Sequence, residues 1–495
     1  MNLTLGQKLL RTKAVAPHKP EASTPPVDIG STGLARTLGL FPLTMIGVGA
    51  TIGTGIFLTM AEAVPKAGPA VILSFLIAAL TAGLTALCYA ELAGRIPASG
   101  SSYSFAYATV GEFAAFIMAA CLLLEYGLAA SATAIGWSDY LNNFLVNAFG
   151  FHIPEALRSS MFISGPNGLE IHAGHFNLPP VLLVILCGIL LVRGTRESAT
   201  TNAIMVMVKL AILVFFVAVA LLGFKMANFH PFFLADATNR PGGMAGVAAA
   251  AGTVFFSFIG LDTIATAGEE VKNPTRNVPI AIISALLIVT LFYMLVAVSA
   301  LGAQPAHMFE GQSAGLAVIL QNVTGAAWPA LVLSAGAIIS VFSVTLVTIY
   351  GQTRILYAIS RDGLIPKTFQ QVSPRTHAPV HNTIIVCLVV GCVAGLVDST
   401  FLWDMVSMGT LTAFIVVSVA IPVIRRKQGS AMPNNGFKVP FGPYLVPALS
   451  IIACVYIMKD LSPTTYRVFA VWMTVAVLTY FFYGIRNSKL NQIQP

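Results

Sequence analysis

The sequence has little charge. Asp, Glu, Lys and Arg together make up 9% of its 495 residues, against about 25% in a soluble globular protein. A soluble surface with so few charges would expose very large apolar patches. That shortage excludes a soluble enzyme, and an apolar content of 56% excludes a disordered chain. Cysteine is scarce as well. Cys88, Cys121, Cys187, Cys387, Cys392 and Cys454 all lie in apolar stretches without framework spacing, so neither a disulfide scaffold nor a metal site is expected. The eight histidines fall in loops or tails with no metal-ligand spacing. No ATPase, kinase or cofactor motif is present, and no signal-peptide core precedes the first apolar run. The net charge of +8 is scattered over separated loops, which argues against a nucleic-acid partner.

What remains is apolar length. Mean hydropathy is +0.82, and a helix crosses about 30 Å of hydrocarbon with about 20 apolar residues. About twelve such spans are expected, near 41–64, 69–92, 114–147, 178–193, 202–223, 246–270, 278–302, 327–358, 382–397, 402–424, 443–459 and 466–485. Threading the chain through them places twenty of the 27 Lys and Arg on one side and six on the other, with Lys209 left inside the fifth span. By the positive-inside rule this puts both termini in the cytoplasm. The first 37 residues, polar and rich in Pro, read as a disordered tail.

Three features inside the spans carry chemistry. The first span reads GVGATIGTGIF at 47–57, and the sixth reads GTVFFSFIGLDTIATAGEE at 252–270. The glycines of the first suit close helix packing or a helix break; the spacing does not fit a dinucleotide loop. A second candidate break in the sixth span favours the latter reading, because paired interruptions in two halves of a chain point to a midplane transport site. Half-helix N-termini there offer free N–H groups to an anion, and C-termini offer carbonyls to a cation. A zwitterion fits. Lys209 is the third feature: a mid-bilayer Lys costs ~2.5–3.5 kcal/mol and usually has a partner or a function. Glu125 is a second buried ionisable candidate. Asp262 reads as a cap on the second half of the sixth span, and Glu91, Glu112, Glu269 and Glu270 as interfacial. Trp137, Trp328, Trp403 and Trp472 read as anchors or packing residues. A proton-pumping subunit would need more intramembrane ionisable groups than these, and a sensor would need a soluble output domain.

Several long motifs carry a resemblance. The 47–57 run, AGPAVILSF at 67–75 and CYAELAGRIPASGSSYSFAY at 88–107 resemble the amino acid–polyamine–organocation superfamily. LEYGLAASATAIGWSDYL at 124–141, EEVKNPTRNVPIAI at 269–282, YGQTRILYAISRDGLIPK at 350–367 and FKVPFGPYLVPALSI at 437–451 resemble the bacterial twelve-helix type of the cationic amino acid transporter family. The resemblance runs from about residue 33 to 489. It implies an all-α, LeuT-like fold with two inverted five-helix repeats, about 41–223 and 246–424, inside a core at 38–424. Two further helices lie within 425–485, and cytoplasmic tails occupy 1–37 and 486–495.

The implied substrate site uses the N–H groups of Gly53, Thr54 and Gly55 for a carboxylate, and Thr51 or Ile52 for an ammonium. Phe256, Ser257 and Ile259 would supply carbonyls and a gating aromatic, and Thr348 and Glu125 would line the side-chain pocket. Lys209 would couple transport to protons, with Ser343 or Thr345 lining its site. The implied activity is secondary, proton-coupled transport of L-amino acids, small neutral ones included, across a bacterial plasma membrane. Arginine and lysine transport, or exchange, is the alternative. An accessory single-span protein stays open.

Overall fold

The computed structural model of the chain describes residues 5–13, 38–96, 100–165, 168–193, 195–235, 242–312, 315–374, 376, 378–428, 436–459 and 461–493. Each apolar run forms a helix, the one conformation that satisfies backbone polar groups within a single segment in lipid. The first span is split into Leu40–Thr51 and Thr54–Ala67. The second to fifth are Val71–Arg95, Glu112–Phe149, Leu178–Arg193 and Thr195–Ala220. The sixth starts as Gly243–Phe255 and is interrupted before Thr263–Thr266. The seventh to twelfth are Pro274–Ala303, Trp328–Arg361, Val380–Leu396, Ser399–Gln428, Leu445–Met458 and Pro463–Thr479. The protein is an all-α polytopic membrane protein. Among the described residues, eight helical stretches are long and apolar enough to cross a membrane, one of which, Leu40–Arg95, contains both the first and second spans. The fourth, ninth and eleventh are shorter apolar helices.

The packing follows a pattern. The first half-spans pack on the sixth, the second span on the seventh, the third on the eighth and the fourth on the ninth. Each of these four elements therefore touches the one five places later. The third span is the hub, packing on the eighth, ninth and tenth.

Four details depart from the sequence reading. A short helix, Gly315–Thr324, sits between the seventh and eighth spans against the first, fifth and eighth. An antiparallel hairpin pairs Phe162–Gly165 with Gly168–Ile171. Of the expected disordered tail, residues 5–13 are ordered: Leu5–Leu10 is helical and Arg11 is buried, while 1–4 and 14–37 lie outside the described residues. Two of the acids expected at the interface, Glu91 and Glu112, are instead buried within the protein. Glu112 is fully buried, paired with Arg11 at 2.8 Å and accepting hydroxyls from Tyr107, Tyr480 and Ser488. Glu91, equally buried, pairs with Arg95 and Arg425 at 2.5 Å each and accepts the Val439 N–H. Satisfied networks of this kind let a carboxylate leave water.

Candidate functional site

The first break lies where the glycines predict it. The helix ends at Thr51, Ile52 turns to φ −76°, ψ 97°, and Gly53 stands at φ −147°, ψ −144° before the chain becomes helical again at Thr54. No side chain caps that second half-helix, so its first-turn N–H groups lack intrahelical acceptors. Gly55 is there for close approach. A Cβ on it would stand 2.6 Å from the Cα of Ser257 in the sixth span, so the two interrupted helices meet backbone to backbone.

The second break is longer. A 3₁₀ turn, Phe256–Phe258, is followed by extended Ile259 and by Gly260 at φ +107°, a conformation that L side chains avoid. A Cβ on Gly260 would also lie 2.8 Å from the carbonyl oxygen of Ala50. Asp262 stands at the N-terminus of Thr263–Thr266 but makes no side-chain cap. Its Oδ2 instead accepts the hydroxyl of Tyr126 on the third span at 2.6 Å. The capping role expected from the sequence is thus corrected: the aromatic hydroxyl offers a stronger, fully buried donor than the short half-helix does.

A cavity opens between the breaks, lined by Ala50, Thr51, Gly53, Gly55, Glu125, Tyr126, Ala129, Thr133, Phe256, Ile259, Gly260, Thr263, Val344 and Thr348. Its volume is about 30 Å³, room for about two water molecules, so a larger ligand requires the surrounding helices to move. Seven expected residues line it: Thr51, Gly53, Gly55, Glu125, Phe256, Ile259 and Thr348. Glu125 is buried, and its Oε1 has no hydrogen-bond partner. Ile52 and Ser257 do not line the cavity. The Ile52 carbonyl points to Lys209, and the Ser257 hydroxyl lies 3.1 Å from that of Thr59. The side chain of Thr54 lies outside what the structure describes. Sequence reasoning missed Tyr126, Ala129 and Thr133, although they repeat at helical spacing beside Glu125 and that periodicity would have flagged them. Of the two readings given for Trp403, anchor or packing residue, the structure shows packing: its ring lies at a tilt on Phe256 with centroids 5.9 Å apart.

Lys209 is wholly buried, and its ammonium donates to the carbonyls of Gly49 at 2.9 Å and Ile52 at 2.8 Å. Both belong to the last turn before the first break, the negative end of a half-helix dipole. The expected hydroxyls of the eighth span are not its partners. Ser343 donates to Asn202 at 2.7 Å, and Thr345 donates to the Val341 carbonyl, its Oγ1 lying 3.2 Å from that of Thr133. Carbonyls win because the break leaves them without helical donors. Tyr293 of the seventh span reaches the same region from the other side, its hydroxyl 2.8 Å from the Thr51 carbonyl and 2.7 Å from that of Ser257.

The amino acid permease family model matches residues 38–484. The branched-chain amino acid permease BcaP of Bacillus subtilis (strain 168) is 40% identical over 463 residues, covering 94% of this chain and 96% of the relative. The methylthioribose transporter of the same strain is 40% identical over 464 residues, with 93% and 96% coverage. Cationic amino acid transporter 4 of Homo sapiens is 34% identical over 415 residues, 82% of this chain and 62% of the relative.

Proposed function

The chain belongs to the amino acid permease family and is a multi-pass membrane transporter rather than an enzyme; on that premise we propose that it carries neutral aliphatic L-amino acids, small and branched ones included, into the cell by proton-coupled alternating access. One observation carries the reading: two helix breaks face one cavity, the first with uncapped N–H groups and the carbonyl of the lining residue Thr51. A carboxylate and an adjacent ammonium match those ends. Methylthioribose, the cargo named for one relative, carries neither group. The side-chain wall of Ala129, Val344, Ile259 and Phe256 is apolar, which suits an aliphatic side chain. Arginine or lysine is the second reading, supported by the free Oε1 of Glu125 in the same cavity.

Lys209 supplies the coupling in this proposal. Its charge-assisted bonds tie the fifth span to the first break, and losing the proton would release that tie. A protonation event shifts an equilibrium only by its differential affinity for the two states. The segregation of Lys and Arg supports a bacterial plasma-membrane location with both termini in the cytoplasm, as do the bacterial relatives that cover nearly the whole chain. The test is uptake of a radiolabelled panel of valine, alanine, arginine and methylthioribose into proteoliposomes, with and without an acid-outside gradient. Uptake of valine and alanine, driven by the gradient, is expected. Uptake of arginine alone would establish the second reading, and uptake of methylthioribose alone would overturn both.

A further inference from the structure

We infer that Tyr293 is the positioning residue for the amine end of the substrate: its one hydroxyl proton pins the carbonyls of Thr51 and Ser257 together and so aims the Thr51 carbonyl at the cavity. This rests on the amino acid reading of that cavity.

The argument is a count of donors and acceptors. A phenol has one proton, and each carbonyl oxygen has two lone pairs. Two carbonyl oxygens from different broken helices stand 2.8 and 2.7 Å from the same fully buried hydroxyl. Without a proton between them they would repel, and both would be buried acceptors without that donor. With it, each keeps a lone pair. Thr51 lines the cavity whereas Ser257 does not, so of this pair only the Thr51 carbonyl can accept from a ligand there. The carbonyls of Gly49 and Ile52 accept from Lys209. That of Thr51 belongs to a residue lining the cavity and is the one whose direction Tyr293 sets.

The ring is held for the task. Phe258 meets it edge-on with centroids 5.1 Å apart, and Phe75 of the second span does so at 6.2 Å. Those contacts hold the ring in place and do not involve the hydroxyl. Tyr293→Phe therefore removes the pin and leaves the packing.

The experiment compares ligands that lose opposite ends. L-Valine, valinamide (amine kept, carboxylate lost) and 2-hydroxy-3-methylbutanoate (carboxylate kept, amine lost) compete against labelled valine in proteoliposomes of wild type and Tyr293→Phe. Melting temperature without ligand serves as the folding control. The variant should show a KM for valine raised about tenfold, the scale of one well-placed hydrogen bond, with Vmax changed less. Valine's advantage over the hydroxy acid should shrink by the same factor, while its advantage over valinamide stays. Parallel weakening of all three ligands, or an unchanged KM, would overturn the inference and leave Tyr293 a packing residue. If the variant does not fold, Phe258→Leu loosens the ring's seat while keeping the hydroxyl. It should shift the same ratio in the same direction to a smaller extent, and an unchanged ratio there counts equally against the pin. A wild-type protein that takes up no amino acid would overturn the functional reading instead.

Discussion

The two helix breaks face each other across one cavity, yet they are held by different chemistry. The first is short, two residues between helices, and its carbonyls answer a buried cation: Lys209 takes those of Gly49 and Ile52. The second is longer, built on a 3₁₀ turn and Gly260, and its one acid answers a neutral hydroxyl from Tyr126. Removing a single proton from Lys209 would loosen the first break. Loosening the second means moving Tyr126 or the aromatic edge formed by Phe256 and Trp403. On the proposed function, the difference assigns ion coupling to the first break and substrate closure to the second.

The largest expected effect tests whether the breaks must touch. Gly55→Leu would drive a side chain into Ser257 backbone at 2.6 Å or less and cover the uncapped N–H groups, so uptake should fall to background in a protein that still reaches the membrane. Uptake near wild type would mean that the breaks need not meet. Next comes the cation. Lys209→Ala should bind valine yet lose its response to an acid-outside gradient, because no titrating group remains on the first break; a preserved response in a folded variant would make the lysine a structural strut. The third prediction concerns closure. Phe256→Ala should cut the uptake rate by about tenfold, equivalent to ~1.4 kcal/mol, with valine affinity changed less, since closure commits the substrate before the opposite side opens. An unaffected rate would place the gate elsewhere. The smallest effect should come from Asp262→Asn. The amide oxygen still accepts the Tyr126 hydroxyl, so a loss of ~0.5–1.5 kcal/mol in stability and no change in gradient response are expected. If this variant, rather than Lys209→Ala, abolished the gradient response, the assignment of coupling to the first break would be reversed.

Much of this was legible from residues alone. The glycines at 47–55 and at 260 foretold both breaks because leaving the helix in lipid is tolerable only around a cavity. Lys209 stood out because a charge amid apolar residues has few affordable explanations. The partners were not legible. Ser343 and Thr345 were reasonable neighbours for an ammonium, but Ser343 turns to Asn202 and Thr345 to its own helix. Asp262 looked like a cap and instead accepts from a residue 136 positions away. Trp403 read as an anchor or a packing residue, and it packs its ring on Phe256. Tyr293 attracted no notice within LLIVTLFYMLVAV at 286–298, since a helix apolar on every side gives no periodicity to show which face looks inward.

The sequence by itself determined the membrane class, the spans, the segregation of Lys and Arg, the position of both breaks and the burial of Lys209. These follow from local costs, the price of leaving a backbone group or a charge unpaired in hydrocarbon, and such costs can be read one segment at a time. Only the tertiary structure decided who pays them: Lys209 with the carbonyls of Gly49 and Ile52, Tyr126 with Asp262, and Tyr293 with both breaks at once. Hydrogen bonds reach about 3 Å, so each pairing depends on how helices far apart in sequence rotate and settle against one another, and no local pattern along the chain encodes that.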